Sequence, residues 1–561
     1  PNQLIKRVDV LTGGASSVYG ADAVAGVINF IMDTTFTGFR VDGPASVFQH
    51  DNHTNNNVLN ANALRGFLPP KGNVVNGGSQ DIAGMFGAAF DDGRGHVMAY
   101  ATYRTQDPIL ESTRDFSNCT LSARASGEWR CGGSGTTSPT AFFTNVGTFQ
   151  VNSTGGLGPL TKRFNFAPYN YFQRPDERYN FGAFADYEIA PGAHPYVEAM
   201  FMDDHTDAQI APSGVFVGNI ATVNCDNPLM TAAQRTILCQ PANLVTDTNG
   251  NPILFPNGTG GTFTKAVAYV GRRNVEGGGR DDDVRHTDFR VVAGLRGDPI
   301  PGISYDAYYQ TGHTLRQETY FNDFSVNRLN FALDAVAVDA KGNIVAPGTP
   351  GSTVTCRGLV EGIATAAGCV PYNIFGTVDP NALAYLQTPG FQRGAINENI
   401  AHADVTIVGD QFGIQSPWAD TGVGANFGVE YRKESLDFKV DQEFSTGDLA
   451  GQGGPTPPVS GHFDVRDAFA EVQIPIIEHS FIDELALDGG YRYSNYHVAA
   501  NSFNTDTYKL EARFAPIKDV RFRASYNRAS RAPNIVELFF PQSLGLSGTS
   551  DPCAGPTPTA T

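Results

Sequence analysis

The sequence predicts an all-β protein, specifically a transmembrane antiparallel β-barrel with part of its strands present. Three observations carry this: side chains alternate with period two, connections alternate between short and long, and no long apolar helix is encoded. Alternation of apolar and polar residues places one set on each face of a strand. From Val423 to Tyr431 the odd positions are Val423, Ala425, Phe427, Val429 and Tyr431, with Asn426 and Glu430 between them. Leu485, Leu487, Tyr491 and Tyr493 alternate with Asp488 and Arg492. Tyr508, Leu510 and Phe514 alternate with Lys509, Glu511 and Arg513, and Phe522 and Tyr526 with Arg521 and Arg523. About thirteen such strands are expected, near 38–49, 79–90, 96–106, 177–189, 195–205, 284–297, 303–315, 399–409, 422–438, 462–475, 483–497, 506–515 and 520–530.

A soluble sandwich and a membrane barrel both alternate in this way. Connection lengths separate them. Asp91–Gly95, Ala190–His194, Asp298–Gly302 and Pro516–Asp519 are short, whereas roughly 109–175, 208–281 and 317–397 are long. Short turns at one end and long loops at the other belong to an outer-membrane barrel. The apolar set should then meet lipid and the charged set a wet lumen. No apolar run approaches the length of a transmembrane helix. The chain starts at Pro1 and stops at Thr561, just past the loop-like stretch Pro552–Pro558, and it is read as an internal piece of a longer protein.

Composition narrows the function. The formal net charge of −18 argues against nucleic acid, which demands a basic face. Charged residues make up only 17%, below the usual share of soluble domains, and Gly is enriched at 62 of 561. No Gly-x-Ser-x-Gly, His-Glu-x-x-His or Walker pattern occurs, so no enzyme is indicated. Asp203, Asp204, His205 and Asp207 end one strand, and Asp281, Asp282, Asp283 and His286 begin the next. Neighbouring strand ends could gather them around a cation, but a solvated acidic rim accounts for them and no metal or cofactor is assigned. Asp247-Thr248-Asn249-Gly250-Asn251 is read as a turn.

Six of the seven cysteines fall in near pairs inside the three long loops: Cys119 with Cys131, Cys225 with Cys239, Cys356 with Cys369. No Cys-x-x-Cys occurs, and no His stands at zinc-ligand spacing. Three loop disulfides on an oxidising side are expected, with Cys553 pairing beyond the end of the chain. The loops are also rich in aromatics. Phe142, Phe143, Tyr169 and Tyr171 are candidate ligand contacts, able to stack on sugar or chelate rings.

Residues 4–31 read Leu-Ile-Lys-Arg7-Val8-Asp-Val-Leu-Thr-Gly13-Gly14-Ala-Ser-Ser17-Val-Tyr19-Gly20, then Gly26-Val-Ile-Asn29-Phe-Ile after a short Ala-rich stretch. This closely resembles the C-terminal end of the plug domain of TonB-dependent outer-membrane receptors, with Asp9 where the family often has Glu. Arg531-Ala532-Pro533 followed by Glu537-Leu538 resembles the family's mid-barrel segment, with Ser530 in place of the usual Phe. Gly428-Val429-Glu430-Tyr431-Arg432 resembles a common barrel strand of the family, and Cys369–Gly376 its proteobacterial large-loop branch.

The resemblance implies residues 1–32 as the end of a plug and 33–561 as a partial barrel of an expected 22 strands. It also implies active import of a scarce bulky solute (siderophore-iron, cobalamin or an oligosaccharide) across the bacterial outer membrane. Energy would come from the TonB–ExbB–ExbD complex through an N-terminal TonB box absent from this sequence. The large neutral loops tilt the solute towards a carbohydrate or other organic ligand. A passive porin or a surface adhesin is the alternative; the first would lack the plug segment and the second the alternating connections.

Overall fold

The computed structural model describes residues 2–12, 20, 23 and 26–542. Gly13, Gly14, Ser17 and Tyr19 of the plug motif, and Cys553, lie outside them. Strands β1 (Ile5–Thr12) and β2 (Gly26–Met32) form a separate antiparallel hairpin. In it Val8 pairs with Phe30 and Asp9 with Asn29, while Arg7 reaches Asp9 at 3.2 Å. Among the described residues the hairpin makes no ladder with the main sheet.

The main sheet has fourteen strands, antiparallel and in chain order. It begins with β3 (Gly38–Asp42) and β4 (Ala45–Asn52), both paired with β5 (Gly72–Phe90). It continues through β6 (Gly95–Gln106), β7 (Asp176–Tyr187), β8 (His194–Asp207), β9 (Asp281–Ile300) and β10 (Ile303–Phe324). Then follow β11 (Gln387–Val408), β12 (Gly424–Val440), β13 (Val459–Glu478), β14 (Glu484–Val498), β15 (Asn501–Ile517) and β16 (Val520–Arg528). Every expected strand is present, the first one divided into β3 and β4. Several run further towards the long loops than their alternation shows. Gln387–Glu398 of β11, for example, scatters Phe391 and Ile396 on opposite faces among polar residues and glycines and so carries no period-two signal.

The connections depart from strict alternation at two places. The turn between β14 and β15 is only Ala499 and Ala500, although it lies at the long-loop end, and Ala499 takes a positive φ to make it. At the other end, residues 409–423 form an extended connection that packs beside β13, with Trp418 bridging to Ile477.

The two faces separate as the alternation requires. Phe427, Val429, Tyr431, Leu487, Tyr491, Tyr493, Leu510, Phe514, Phe522 and Tyr526 are all exposed on one side. Val423 lies just before β12, half-buried and hydrogen-bonded to Ile414 and Gly409. Leu485, Ala425 and Tyr508 are half-buried. The charges face the other way and pair across and along strands. Arg492 bonds Asp467 at 2.8 Å and Glu430 at 3.1 Å, and Arg513 reaches Glu484 at 3.0 Å and Asp488 at 3.1 Å. Arg432 meets Glu434 and Lys509 meets Glu511. Arg521 and Arg523 lie on the last strand, exposed, and reach back to Glu484 and Glu511. Unpaired, these charges would each demand costly desolvation; laddered on an inner wall they neutralise one another.

Leu4, 1% exposed, anchors the β1–β2 hairpin on this inner wall, against Met85, Met98, Tyr100 and Phe184. At the long-loop end, helix α1 (Ile535–Phe539) closes onto the same wall, Ile535 packing with Leu436, Phe463, Val465 and Tyr496. Here Arg531 and Glu537 have a structural role. Asn534 caps the helix, Glu537 returns a hydrogen bond to the Asn534 N–H, and Arg531 grips both Glu537 oxygens at 3.0 Å. Pro533, whose ring fixes φ, leads into the cap.

The exposed apolar face supports a direct test. Val429, 58% exposed, lies mid-strand between Ala403 and Ala468. Val429→Arg should lower folding stability in lipid vesicles by about 2–4 kcal/mol, the cost of a guanidinium at the bilayer midplane. Urea titration of the vesicle-inserted protein reads it; an unchanged midpoint would place this face away from lipid.

Candidate functional site

The long loops are not separate. Loop A (107–175), loop B (208–280) and loop C (325–386) share the largest hydrophobic core of the chain, which includes Phe142 from A, Val270 and Leu238 from B, and Leu329, Tyr372 and Phe375 from C. The segment Lys265–Arg273 in loop B is its axis: Ala141–Thr144 of loop A pairs on one side, and Thr222–Asn224 and Gly214–Val215 on the other. The three expected disulfides are formed, with Cα separations of 5.5, 5.8 and 6.2 Å. Each closes twelve to fourteen residues within one loop, a length that stabilises by about 3 kcal/mol in the chain-entropy model.

Consecutive residues on a strand point to opposite sides, and this decides the fates of two expected ligand contacts. Phe142 is fully buried and stacks on Phe375, ring centres 5.6 Å apart. It is a core residue with no face left for a ligand, a correction to the expectation from sequence. Phe143 turns the other way, into a cleft of about 860 Å³ between loops A and B and the glycine-rich connection 441–458. Tyr169 stacks on Phe164, which in turn lies under Arg273 at 5.0 Å. Tyr171 pairs with Leu110 where the two ends of loop A meet; burial, then the charges of Asp281 and Asp207, push its hydroxyl pKa up. Of the four aromatics, only Phe143 lines the cleft.

The cleft is cationic and aromatic. Arg163, Arg280, Phe143 and Phe216 line it, and no carboxylate does among the described residues. Arg280 is held by Ala211 O at 2.9 Å, Tyr320 Oη at 3.1 Å and Gly451 O at 3.4 Å, with its guanidinium over the Phe216 ring. A Cβ at Gly451 would press on the Arg280 guanidinium and the Asp323 carboxyl, so a side chain there would displace Arg280. Arg273 also lies over the Phe216 ring, at 5.0 Å, and donates to Pro212 O and Ser134 Oγ. Its Nε is buried without a partner. Burial, and then the positive charge of Arg280, push its pKa down to about 10. Two guanidiniums share one ring, and the buried Asp323 carboxyl beside Arg280 offsets part of their charge. Phe143 carried a sequence signal in its aromatic-rich loop. Phe216, Arg163 and Arg280 carried none, since three separate segments bring them together.

At the outer rim, β8 and β9 do gather imidazole and carboxylates. His205 meets Asp283 at 2.9 Å and Asp207 at 3.7 Å, and Arg285 pairs with Asp203 at 2.9 Å. The three His205, Asp207 and Asp283 ligand atoms lie within 4.8 Å of one another. His286 points to the opposite face, across from Asp204. These groups satisfy one another as an ion-paired rim.

Three comparisons bear on identity. The family described as TonB dependent receptor-like, beta-barrel, matches residues 240–560, more than half the chain. No curated protein matches. Similar solved structures include a ferric enterobactin receptor from Pseudomonas aeruginosa, 13% identical, covering 95% of this chain and 50% of that one with a TM-score of 0.45. The ferric-catecholate import receptor Fiu from E. coli K12 is 10% identical, covering 93% of this chain and 55% of that one, at 0.42. The FrpB iron transporter from Neisseria meningitidis is 12% identical, covering 95% and 54%, at 0.40. The chain spans about half the length of these structures, and at such similarity they do not bear on its solute. With the family match added to the fourteen-stranded antiparallel wall and its exposed apolar face, the chain belongs to the TonB-dependent receptors, a family of transporters and receptors of the bacterial outer membrane.

Proposed function

We propose that this chain forms the solute-capturing part of an active importer, energised by TonB–ExbB–ExbD, and that its solute is a bulky organic anion. The observation that carries the solute class is the cleft lined by Arg163, Arg280, Phe143 and Phe216 without a carboxylate. Guanidiniums in a partly desolvated site attract carboxylate or catecholate oxygens strongly, and the rings add stacking area. Neutral sugars would gain little from that charge, so an anionic chelate fits better than the oligosaccharide favoured by loop composition. Residues 1–32 act in this reading as the end of the plug: the hairpin rests on the inner wall through Leu4 rather than joining it.

The full-length receptor in detergent should bind a ferric tris-catecholate, measured by fluorescence quenching. Arg163→Glu, at an exposed guanidinium, should weaken that binding by about tenfold, or about 1.4 kcal/mol. Equal binding by the variant, or tight binding of a neutral maltooligosaccharide instead, would overturn the anionic reading.

A further inference from the structure

A second cavity lies between loops B and C, beside the cleft, with Asn219 on the border of both. It measures about 320 Å³, at the small end for ligand pockets. Leu333, Ile374 and Phe375 give it an apolar side. Its polar groups come from both loops, Asn224 and Lys265 from loop B and Asp334 from loop C. They are only partly used. Asn224 Nδ2 and Arg357 Nε both donate to Asp334 Oδ1. Among the described residues no donor reaches Asp334 Oδ2, nor Oδ1 of Asn224, a residue only 7% exposed. Buried amide and carboxylate oxygens are costly to leave without a donor, so these two call for one.

Lys265 supplies the opposite charge. Its ammonium stands over the rings of Phe255 and Phe263, at 5.0 and 5.8 Å, which hold a cation without cancelling its charge. Among the described residues no carboxylate lies within ion-pair distance of it. Its charge nevertheless acts on Asp334. Lys265 and Asp334 therefore line one cavity as opposite charges, near enough to interact and too far apart to pair. Two cations, Lys265 and Arg357, stand here against two anions, Asp226 and Asp334, so a ligand without net charge is preferred. A neutral polyol would leave the two lining charges apart. A molecule with an ammonium and a carboxylate on one carbon meets both.

We propose that this cavity binds an α-amino acid zwitterion with an apolar side chain. Its carboxylate meets Lys265, its ammonium meets Asp334 and Asn224, and its side chain lies against Leu333, Ile374 and Phe375. Each end gains a charge-assisted hydrogen bond, and the ammonium supplies donors to the two free oxygens. The site is separate from the anion cleft, and the inference stands whichever solute the cleft takes.

Equilibrium dialysis of radiolabelled L-leucine against the full-length receptor in neutral detergent tests this. Leucine should bind saturably. N-acetyl-leucine and leucinamide, each lacking one of the two charges, should compete about tenfold more weakly than unlabelled leucine, or worse. Lys265→Met should weaken leucine by about tenfold or more and leave leucinamide, which has no carboxylate to lose, unchanged. Lys341→Met, the same charge change on an exposed turn of loop C, should leave leucine binding intact. The comparison of analogues uses the wild type, so it decides the matter even if Lys265→Met misfolds. Equal competition by the two analogues and leucine, wild-type affinity in Lys265→Met, competition between leucine and the ferric tris-catecholate for one site, or no saturable leucine binding would each overturn the proposal.

Discussion

Phe142→Ala should destabilise the loop assembly by about 3–5 kcal/mol while leaving the barrel wall intact. A buried phenyl ring costs that much to remove, because the transfer free energy and the cavity it leaves add together. Phe142 is fully buried where loops A, B and C meet, stacked on Phe375 and flanked by Ala268 and Val270 on the axial strand. Gln234, also fully buried, donates to the carbonyl of Phe375, so the ring and its support are tied to loop B as well. The cavity should loosen all three loops together. Hydrogen exchange of Lys265–Arg273 reads the opening free energy directly, and heat-modifiable gel mobility reports the wall. Phe143→Ala, one residue on, should act in the opposite sense, lowering solute affinity with little effect on exchange. A loss below about 1 kcal/mol for Phe142→Ala would mean that the loops do not share one cooperative core.

The contrast between these neighbours shows where sequence reading ends. The wall was legible because a strand's two faces meet two different solvents. Val429 and Glu430 announce their sides without reference to any other strand, and the pairing of Arg492 with Asp467 and Glu430 only completes what alternation requires. The cysteine pairs were legible because each bond closes a short stretch of one loop. The loop core was not. Phe142 and Phe143 have the same side chain and adjacent positions, and what separates them is Phe375, delivered by another loop. Likewise the cleft is made by Arg163, Phe216 and Arg280 from different segments and by Gly451 from a fourth connection. The mid-barrel motif was recognisable by resemblance, yet its physical role as the capped helix α1 locked by Arg531 and Glu537 emerges only from hydrogen bonds.

Arg357→Met should cost the loops as much as Phe142→Ala, about 3–5 kcal/mol near neutral pH, and its effect should depend on pH. Arg357 is 3% exposed and sits between two acids. Its Nη2 meets both oxygens of Asp226, at 2.7 and 2.9 Å, and its Nε meets Asp334 at 2.9 Å, with the Phe263 ring 3.8 Å from the guanidinium. Asp226 belongs to loop B and Asp334 to loop C, so the guanidinium joins them. Methionine matches much of the volume but leaves two facing carboxylates with only the more distant charge of Lys265, the expensive way to break a buried pair. Burial already holds the Asp334 carboxyl above its ordinary pKa, with the charge of Asp226 adding to the rise and Arg357 opposing it. Removing Arg357 raises it further. A carboxyl with a raised folded-state pKa favours folding below its unfolded value, about 3.9, and that contribution is lost as pH climbs through the folded value. The variant should therefore recover stability in acid and lose it towards neutrality, whereas the wild type, with its cation in place, should change less over the same interval. Urea-dependent proteolysis of the loops at pH 4 and pH 7.5 measures both. Arg357→Lys should retain the charge but forfeit the two-nitrogen bridge from Asp226 to Asp334, and so fall between the two. A loss in Arg357→Met of equal size at both pH values would assign the effect to packing against Phe263 rather than to the uncompensated acids.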